Sequence, residues 1–316
     1  MKPLFLEPVF VDKIWGGTKL KDTFNYEIPT NTIGECWGIS AHPNGDCKIT
    51  NGEFKGKTLS YLWSNARELF DNTPGEKFPL LTKILDANDN LSVQVHPDDS
   101  YANTYENGEL GKTECWYVLD CDDGAELIMG HNANSKEELK NMIDNRQWSK
   151  LLKKVKIKKG DFFYVPSGTI HALGKGSLIL ETQQNSDTTY RVYDFDRTDS
   201  NGNTRELHID KSIDVSQTPH IENNSDFSIF ESNNYKCTTF ISNNFFSVYK
   251  LDIFKEVKFS HSLPFSLYTV INGSGTLRCN FENKIYNLEK GNHFILPCNI
   301  NQFELNGELE LICSHI

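Results

Sequence analysis

Two stretches of this chain repeat each other, and that repetition restricts the fold more than any other feature. Lys159-Gly160-Asp161-Phe162-Phe163-Tyr164-Val165-Pro166 recurs as Lys290-Gly291-Asn292-His293-Phe294-Ile295-Leu296-Pro297, an offset of 131 residues (159 to 290). Upstream, Tyr117-Val118-Leu119-Asp120 with Gly124 recurs as Tyr268-Thr269-Val270-Ile271 with Gly275, an offset of 151 (117 to 268). The offsets differ by about 20 residues, the length of one helical insertion, so both matches belong to a single duplication. Each copy is made of short apolar runs closed by Gly and Pro, which reads as sheet. The expected fold is mainly β, two jelly-roll β-barrels with short helical insertions in the N-terminal half.

The insertions carry their own signals. Leu59, Leu62, Trp63, Ala66, Leu69 and Phe70 recur at helical spacing until Pro74-Gly75, giving a helix within about 58–71. Ser135 and Glu138 form a capping box ahead of Leu139, Met142 and Ile143, giving a second within about 135–153. The polar stretch HIENNSD at 220–226 reads as a linker, dividing the chain into 1–219 and 227–316.

Within the first copy, Asn90–Trp116 stands out. Leu91, Val93 and Val95 alternate with Ser92, Gln94 and His96, so three polar side chains share one strand face. A short polar lid then leads to Lys112, Glu114 and the apolar run Cys115–Leu119. If the strands lie side by side, Gln94, His96 and Glu114 share an interior where bare polar groups are costly unless paired or metal-bound. His171, after the Pro-closed strand, completes two imidazoles, one carboxylate and one amide, a set suited to a borderline divalent ion. The repeat sets His171 opposite Gln302 and Glu114 opposite Phe265, so only the first barrel is expected to hold metal. Lys83, alone in the apolar run FPLLTKILD, needs an anionic partner or a wet cavity. His42, His131 and His208 read as surface or structural.

Composition narrows the class. With 316 residues, 38% hydrophobic and 12% aromatic, the chain can bury its own cores. A net charge of −11 with no large Lys/Arg cluster argues against nucleic acid or an anionic membrane as partner. The eight cysteines contain no CxxC pair, which fits reduced thiols in the cytoplasm. No uncharged run approaches about 20 residues, so no membrane segment or signal peptide is expected.

The motifs SVQVHPDD, KTECWYVL, GDFFYVPSGTIHAL and YRVYDFDR, with the WGG at 15–17, resemble the cupin superfamily and, within it, the short bacterial form of the type I phosphomannose isomerases. The likeness spans about the whole chain. It implies a cupin fold, one zinc ion on Gln94, His96, Glu114 and His171, and a catalytic arginine at Arg191. It implies phosphate-side groups at Lys83, Ser92 and Lys112. Arg197 also matches, and reads as a structural ion pair with a nearby Asp. The implied reaction interconverts mannose 6-phosphate and fructose 6-phosphate through an enediolate, in a cytoplasmic monomer or homodimer.

That reaction needs a proton moved between adjacent carbons, and a metal polarising the oxygens there stabilises the intermediate. Arg191 cannot be the base, since a guanidinium stays protonated. The base remains open between a metal-bound water, a carboxylate and a histidine. Two rivals share the site: a cupin Fe(II) dioxygenase, which could use the same His and carboxylate ligands, and a non-catalytic sugar-binding bicupin. Lys83, Lys112 and Arg191 favour an anionic sugar phosphate over the first. The second predicts a damaged first site, which the sequence does not show.

Overall fold

Side chains along the strand Glu114–Cys121 alternate between two different cores, and this fixes how the layers stack. In the computed structural model, which describes residues 2–198, 202–223, 226–280 and 283–316, Trp116 and Val118 enter one apolar cluster with Leu127 and Leu173. Cys115, Tyr117 and Leu119 enter another with Phe240, Leu267 and Ile312. A strand buried on both faces is therefore the middle of a sandwich.

That strand belongs to a six-stranded central sheet, in the order Phe162–Val165, Glu114–Cys121, Ser177–Gln184, Leu80–Ala87, Ile33–Ile39, Val9–Gly17. One face is covered by a five-stranded sheet, the site sheet, in the order Tyr190–Tyr193, Val93–Val95, His171–Ala172, Glu126–His131, Leu152–Lys156. The other face meets a ten-stranded C-terminal sheet. Strands sandwiched in this way are buried along their whole length, as Leu80–Ala87 and Ser177–Gln184 are. The mainly β expectation holds. The paths of hydrogen-bonded neighbours do not close on themselves among the described residues, and the layers face one another as open sheets.

The C-terminal sheet also takes in the N-terminal strand Leu4–Glu7, which pairs with His293–Pro297 through Leu4↔Ile295 and Phe5↔Phe294. The two halves are thus tied by backbone hydrogen bonds across the 219/227 division. They are tied again by aromatic packing: Phe265 lies 5.3 Å from Phe78, 5.5 Å from Phe70 and 6.1 Å from Trp63, ring centre to ring centre.

Both expected helices form. Thr58 caps Leu59–Asn65, which passes into a 3₁₀ turn at Arg67–Phe70. Ser135 Oγ accepts from the Glu138 amide at 3.1 Å ahead of Lys136–Asp144, while the Glu138 carboxylate returns to the amide of Asn134. The second insertion ends earlier than 153: a turn at Trp148–Leu151 gives way to a strand at Leu152. Three helices went unread: Lys19–Phe24, Asp99–Tyr105 and Ile209–Val215. The linker expected at 220–226 has Asn224 and Ser225 outside the described residues.

The ladders repeat between the halves, and they correct the register of the duplication. Phe163 pairs with Trp116, and its counterpart Phe294 pairs with Tyr268. Trp116 therefore corresponds to Tyr268, an offset of 152 (116 to 268) in place of 151. A one-residue slip exchanges the faces of a strand. Phe265 points out toward the first half, and the residue matching Glu114 is Ser266, which pairs with Leu296 as Glu114 pairs with Val165. Gln302 is exposed, whereas Phe303 packs in the second half's interior. Phe303 pairs with Phe259 as His171 pairs with Gln94. His261, two residues beyond Phe259, thus matches His96.

Candidate active site

The cleft between the central and site sheets is apolar at one end and polar at the other. On the central sheet, Lys83 pairs across the ladder with Trp37 and with Glu181, and Glu181 pairs with Trp116, which makes one row on one face. On the site sheet, Gln94 pairs with His171 on one side and Arg191 on the other. His96 follows the end of Val93–Val95. The alternation expected for Asn90–Trp116 is met where it matters: Val93 and Val95 are fully buried in the outer core of the site sheet, leaving Gln94 for the cleft.

His96, Glu114 and His171 converge with their donor atoms within 4.8 Å of one another. His171 Nε2 lies 3.3 Å from Glu114 Oε1, and His96 Nε2 lies 3.5 Å from Glu114 Oε2. Each imidazole donates its Nδ1 proton to a backbone carbonyl, His96 to Thr188 at 2.8 Å and His171 to Thr169 at 2.8 Å. Both Nε2 lone pairs are thereby presented to the centre, as metal ligation requires. Burial, reinforced by the Lys112 charge, holds His96 well below the ordinary histidine pKa and His171 down at about 3. Glu114 Oε1 and His171 Nε2 are buried with no hydrogen-bond partner. Two orphaned acceptors facing each other leave room for a cation, so the residues fit a divalent metal.

Lys112, itself buried, places its ammonium against Glu114 Oε2 and 3.2 Å from His96 Nε2. Its segment is fixed by Gln184 Oε1, which accepts from the Thr113 amide at 2.9 Å, and by Asp99 Oδ1, which accepts from the Gly111 amide at 2.8 Å. Asp99 opens the helix Asp99–Tyr105, so the expected polar lid is partly helical.

A cavity of about 780 Å³, including its open mouth, lies beside this cluster and is lined by Lys83, Ser92, Gln94, Lys112 and Arg191. Lys83 has the anionic partners its setting demanded: Glu35 at 3.7 Å, Asp187 at 3.9 Å and Glu181 at 4.0 Å, with the Trp37 ring 4.4 Å from Nζ. Burial pulls its pKa down, but the carboxylates outweigh burial and hold it above the ordinary lysine value. The reverse balance acts on Glu35, where burial is overcome by Lys83 and Lys13 and the pKa falls to about 2. Glu181, pushed by burial and then by the Glu114 charge, is raised.

The arginine-rich segment closes the other side. Arg197 donates to Asp194 Oδ1 at 2.5 Å, the ion pair expected for it. Arg205 grips the same carboxylate through Nε at 2.7 Å and Nη2 at 2.5 Å, and it also lines the cavity. Glu35, Glu181, Asp187 and Arg205 were not anticipated. Glu181 had a signal, being a charge inside the apolar run LILETQQ just as Lys83 is inside FPLLTKILD. Arg205 had none, because it lies in a polar loop without periodicity. All eight cysteines are free, and no helix among the described residues is long and apolar enough to cross a membrane.

The family model described as phosphomannose isomerase type I, catalytic domain, matches residues 4–120. The model for the mannose-6-phosphate isomerase cupin domain matches residues 236–316. The mannose-6-phosphate isomerase ManA of Bacillus subtilis (strain 168) is 52% identical over 315 residues, covering 100% of this chain and 99% of its own. The mannose-6-phosphate isomerase of Streptococcus mutans serotype c is 53% identical over 314 residues, covering 99% and 98%. The crystal structure of the mannose 6-phosphate isomerase from Bacillus subtilis superposes with a TM-score of 0.97 at 52% identity, with 100% of both chains covered. A mutant phosphomannose isomerase from Salmonella typhimurium shares the fold, with a TM-score of 0.80 at 16% identity over 100% of this chain and 99% of that one.

Proposed function

The chain belongs to the type I phosphomannose isomerase family, and from that premise we infer that it interconverts mannose 6-phosphate and fructose 6-phosphate by moving a proton between C1 and C2. The observation that carries this reading is the buried His96–Glu114–His171 cluster, with its unpaired donor atoms, beside a cavity that holds both cations and carboxylates. A divalent ion held by Gln94, His96, Glu114 and His171, with zinc the first choice, supplies Lewis acidity toward the sugar oxygens.

The remaining work falls to the chain's own groups. Arg191, in the same ladder row as Gln94 and His171, offers its guanidinium to an anionic group of the substrate. Three carboxylates line the cavity outside the metal cluster, and with Glu35 tied to Lys13 and Trp37, Glu181 and Asp187 can accept the proton. Lys83 keeps their field balanced, and Ser92 offers a hydroxyl to the sugar. The catalytic unit is residues 1–219 and the metal-free unit 227–316, and reduced cysteines suit a cytoplasmic enzyme.

The test is isomerisation of mannose 6-phosphate by the full chain reconstituted with zinc, followed by coupled detection of fructose 6-phosphate. Turnover that is lost with chelator and regained with zinc is expected. Oxygen consumption without isomerisation would instead mark an Fe(II) dioxygenase.

A further inference from the structure

The cavity's cations are not equally free to receive an anion. Lys83 is ringed by Glu35, Asp187 and Glu181 within 4.0 Å. Lys112 is locked between His96 and Glu114. Lys13 pairs with Glu35 at 3.0 Å. The arginine end differs. Arg191 makes no ion pair within 4.0 Å among the described residues; its Nη1 donates to the Glu206 carbonyl at 2.8 Å, and its Nε is buried without a partner. Asp194 is the carboxylate gripped there, and it is divided between Arg197 and Arg205. Arg205 engages it through Nε and Nη2, which leaves Nη1 for another acceptor. Burial and the neighbouring Arg205 charge lower the Arg191 pKa, the mark of like charges held close.

We propose that Arg205, held in position by Asp194, binds the substrate phosphate together with Arg191, and that Lys83 and Lys112 serve the sugar and metal end. The proposal deepens the isomerase reading and rests on it. A phosphate carries close to two negative charges at neutral pH and offers three acceptor oxygens. Two guanidinium groups with spare donors match that ligand better than lysines already neutralised by carboxylates. The different partners of the lysines and arginines then fix the sugar's direction: phosphate toward Arg205, reacting carbons toward His96 and Glu114.

Steady-state kinetics with mannose 6-phosphate, and calorimetric titration with inorganic phosphate, test this on the full zinc-loaded chain. Arg205→Gln is expected to lower kcat/KM by about 10- to 100-fold, mostly through KM, and to weaken phosphate binding by a similar factor. Arg205→Lys should recover part of both, and zinc content should stay at the wild-type level. An Arg205→Gln protein that folds, yet keeps KM and phosphate affinity within about twofold of wild type, overturns the proposal. The two readings fail separately. A wild-type chain that binds phosphate through Arg205 but does not isomerise the sugar defeats the isomerase assignment alone.

Discussion

The Nε2 atom of His261 lies 2.9 Å from the Ser266 hydroxyl, in the position where His96 Nε2 lies 3.5 Å from Glu114 Oε2 in the other half. The likeness extends to the far side of the ring. His261 Nδ1 donates to a backbone carbonyl, that of Ile300 at 2.9 Å, as His96 Nδ1 does, though the acceptor is the counterpart of Thr169 and not of Thr188. The second interior has therefore kept one imidazole of the metal cluster. It differs by a hydroxyl at Ser266 in place of the carboxylate, by Phe303 in place of the second imidazole and by Phe259 in place of the Gln94 amide.

Two substitutions should then restore the His–Glu–His set there, three of the four ligands of the first site. The double variant S266E/F303H is expected to raise bound zinc from one ion per chain to two, read by metal analysis of the dialysed protein. It should lose about 2–4 kcal/mol of stability, because Phe303 is buried among Tyr268 and Phe259. Gln302→His, the change suggested by simple repeat alignment, should leave one ion, since Gln302 is exposed at the edge of the interior. Equal metal content in the double variant and wild type would refute the corrected register.

The one-residue error in that alignment has a physical cause. Tyr117 and Tyr268 anchor the match by identity, yet Tyr117 faces the C-terminal sheet and Tyr268 faces its own interior. A strand buried on both faces carries large apolar residues at every position, so sequence alone does not say which face a tyrosine takes. The His96–Glu114–His171 cluster was legible because polar residues in buried strands are conspicuous, and Lys83 was legible for the same reason. The helix Asp99–Tyr105 was not, because it buries Ala102 alone and presents no apolar period. Pairing of Leu4–Glu7 with His293–Pro297 was equally hidden, since nothing local in LFLE names a partner so distant in sequence.

Glu114 serves the cluster and also neutralises a buried lysine, and the two roles can be separated. Glu114→Gln should lower kcat/KM by at least about 100-fold through loss of metal. It should also cost about 3 kcal/mol of stability, because Lys112 is left charged and buried without its counter-ion. Adding Lys112→Met should restore much of the stability and none of the activity. Thermal unfolding and steady-state assays of both proteins check this. Activity returning together with stability would mean the carboxylate is structural.

Arg191→Ala should reduce kcat/KM by about 10²–10³, because it removes a guanidinium that holds an anionic group of the substrate and so keeps the sugar in register. Zinc content should not change, because Arg191 meets Gln94 through the backbone ladder and its side chain makes no hydrogen bond or ion pair with Gln94, Glu114, His96 or His171 among the described interactions. Arg191→Lys should recover the charge but not the planar two-donor geometry, and so only part of the rate. Retention of full activity by the alanine variant would remove Arg191 from the mechanism.

Acid sensitivity should come in part from His293, far from the metal cluster at the join between the halves. Its Nε2 lies 2.9 Å from the Tyr26 hydroxyl and its Nδ1 lies 2.9 Å from Thr269 Oγ1. Burial lowers its pKa to about 3, against about 6.5 in an unfolded chain. Between those values only the unfolded chain takes up the proton. Stability is therefore complete above about pH 6.5 and is lost as pH falls across this window, with a slope approaching 1.4 kcal/mol per pH unit for the single group (about one proton). His293→Gln cannot take up that proton, so its stability should fall by about one proton's worth less between pH 7 and pH 5. Urea unfolding of metal-free protein at the two pH values measures the difference. An unchanged slope in the variant would show that the acid-sensitive stability resides in other buried groups.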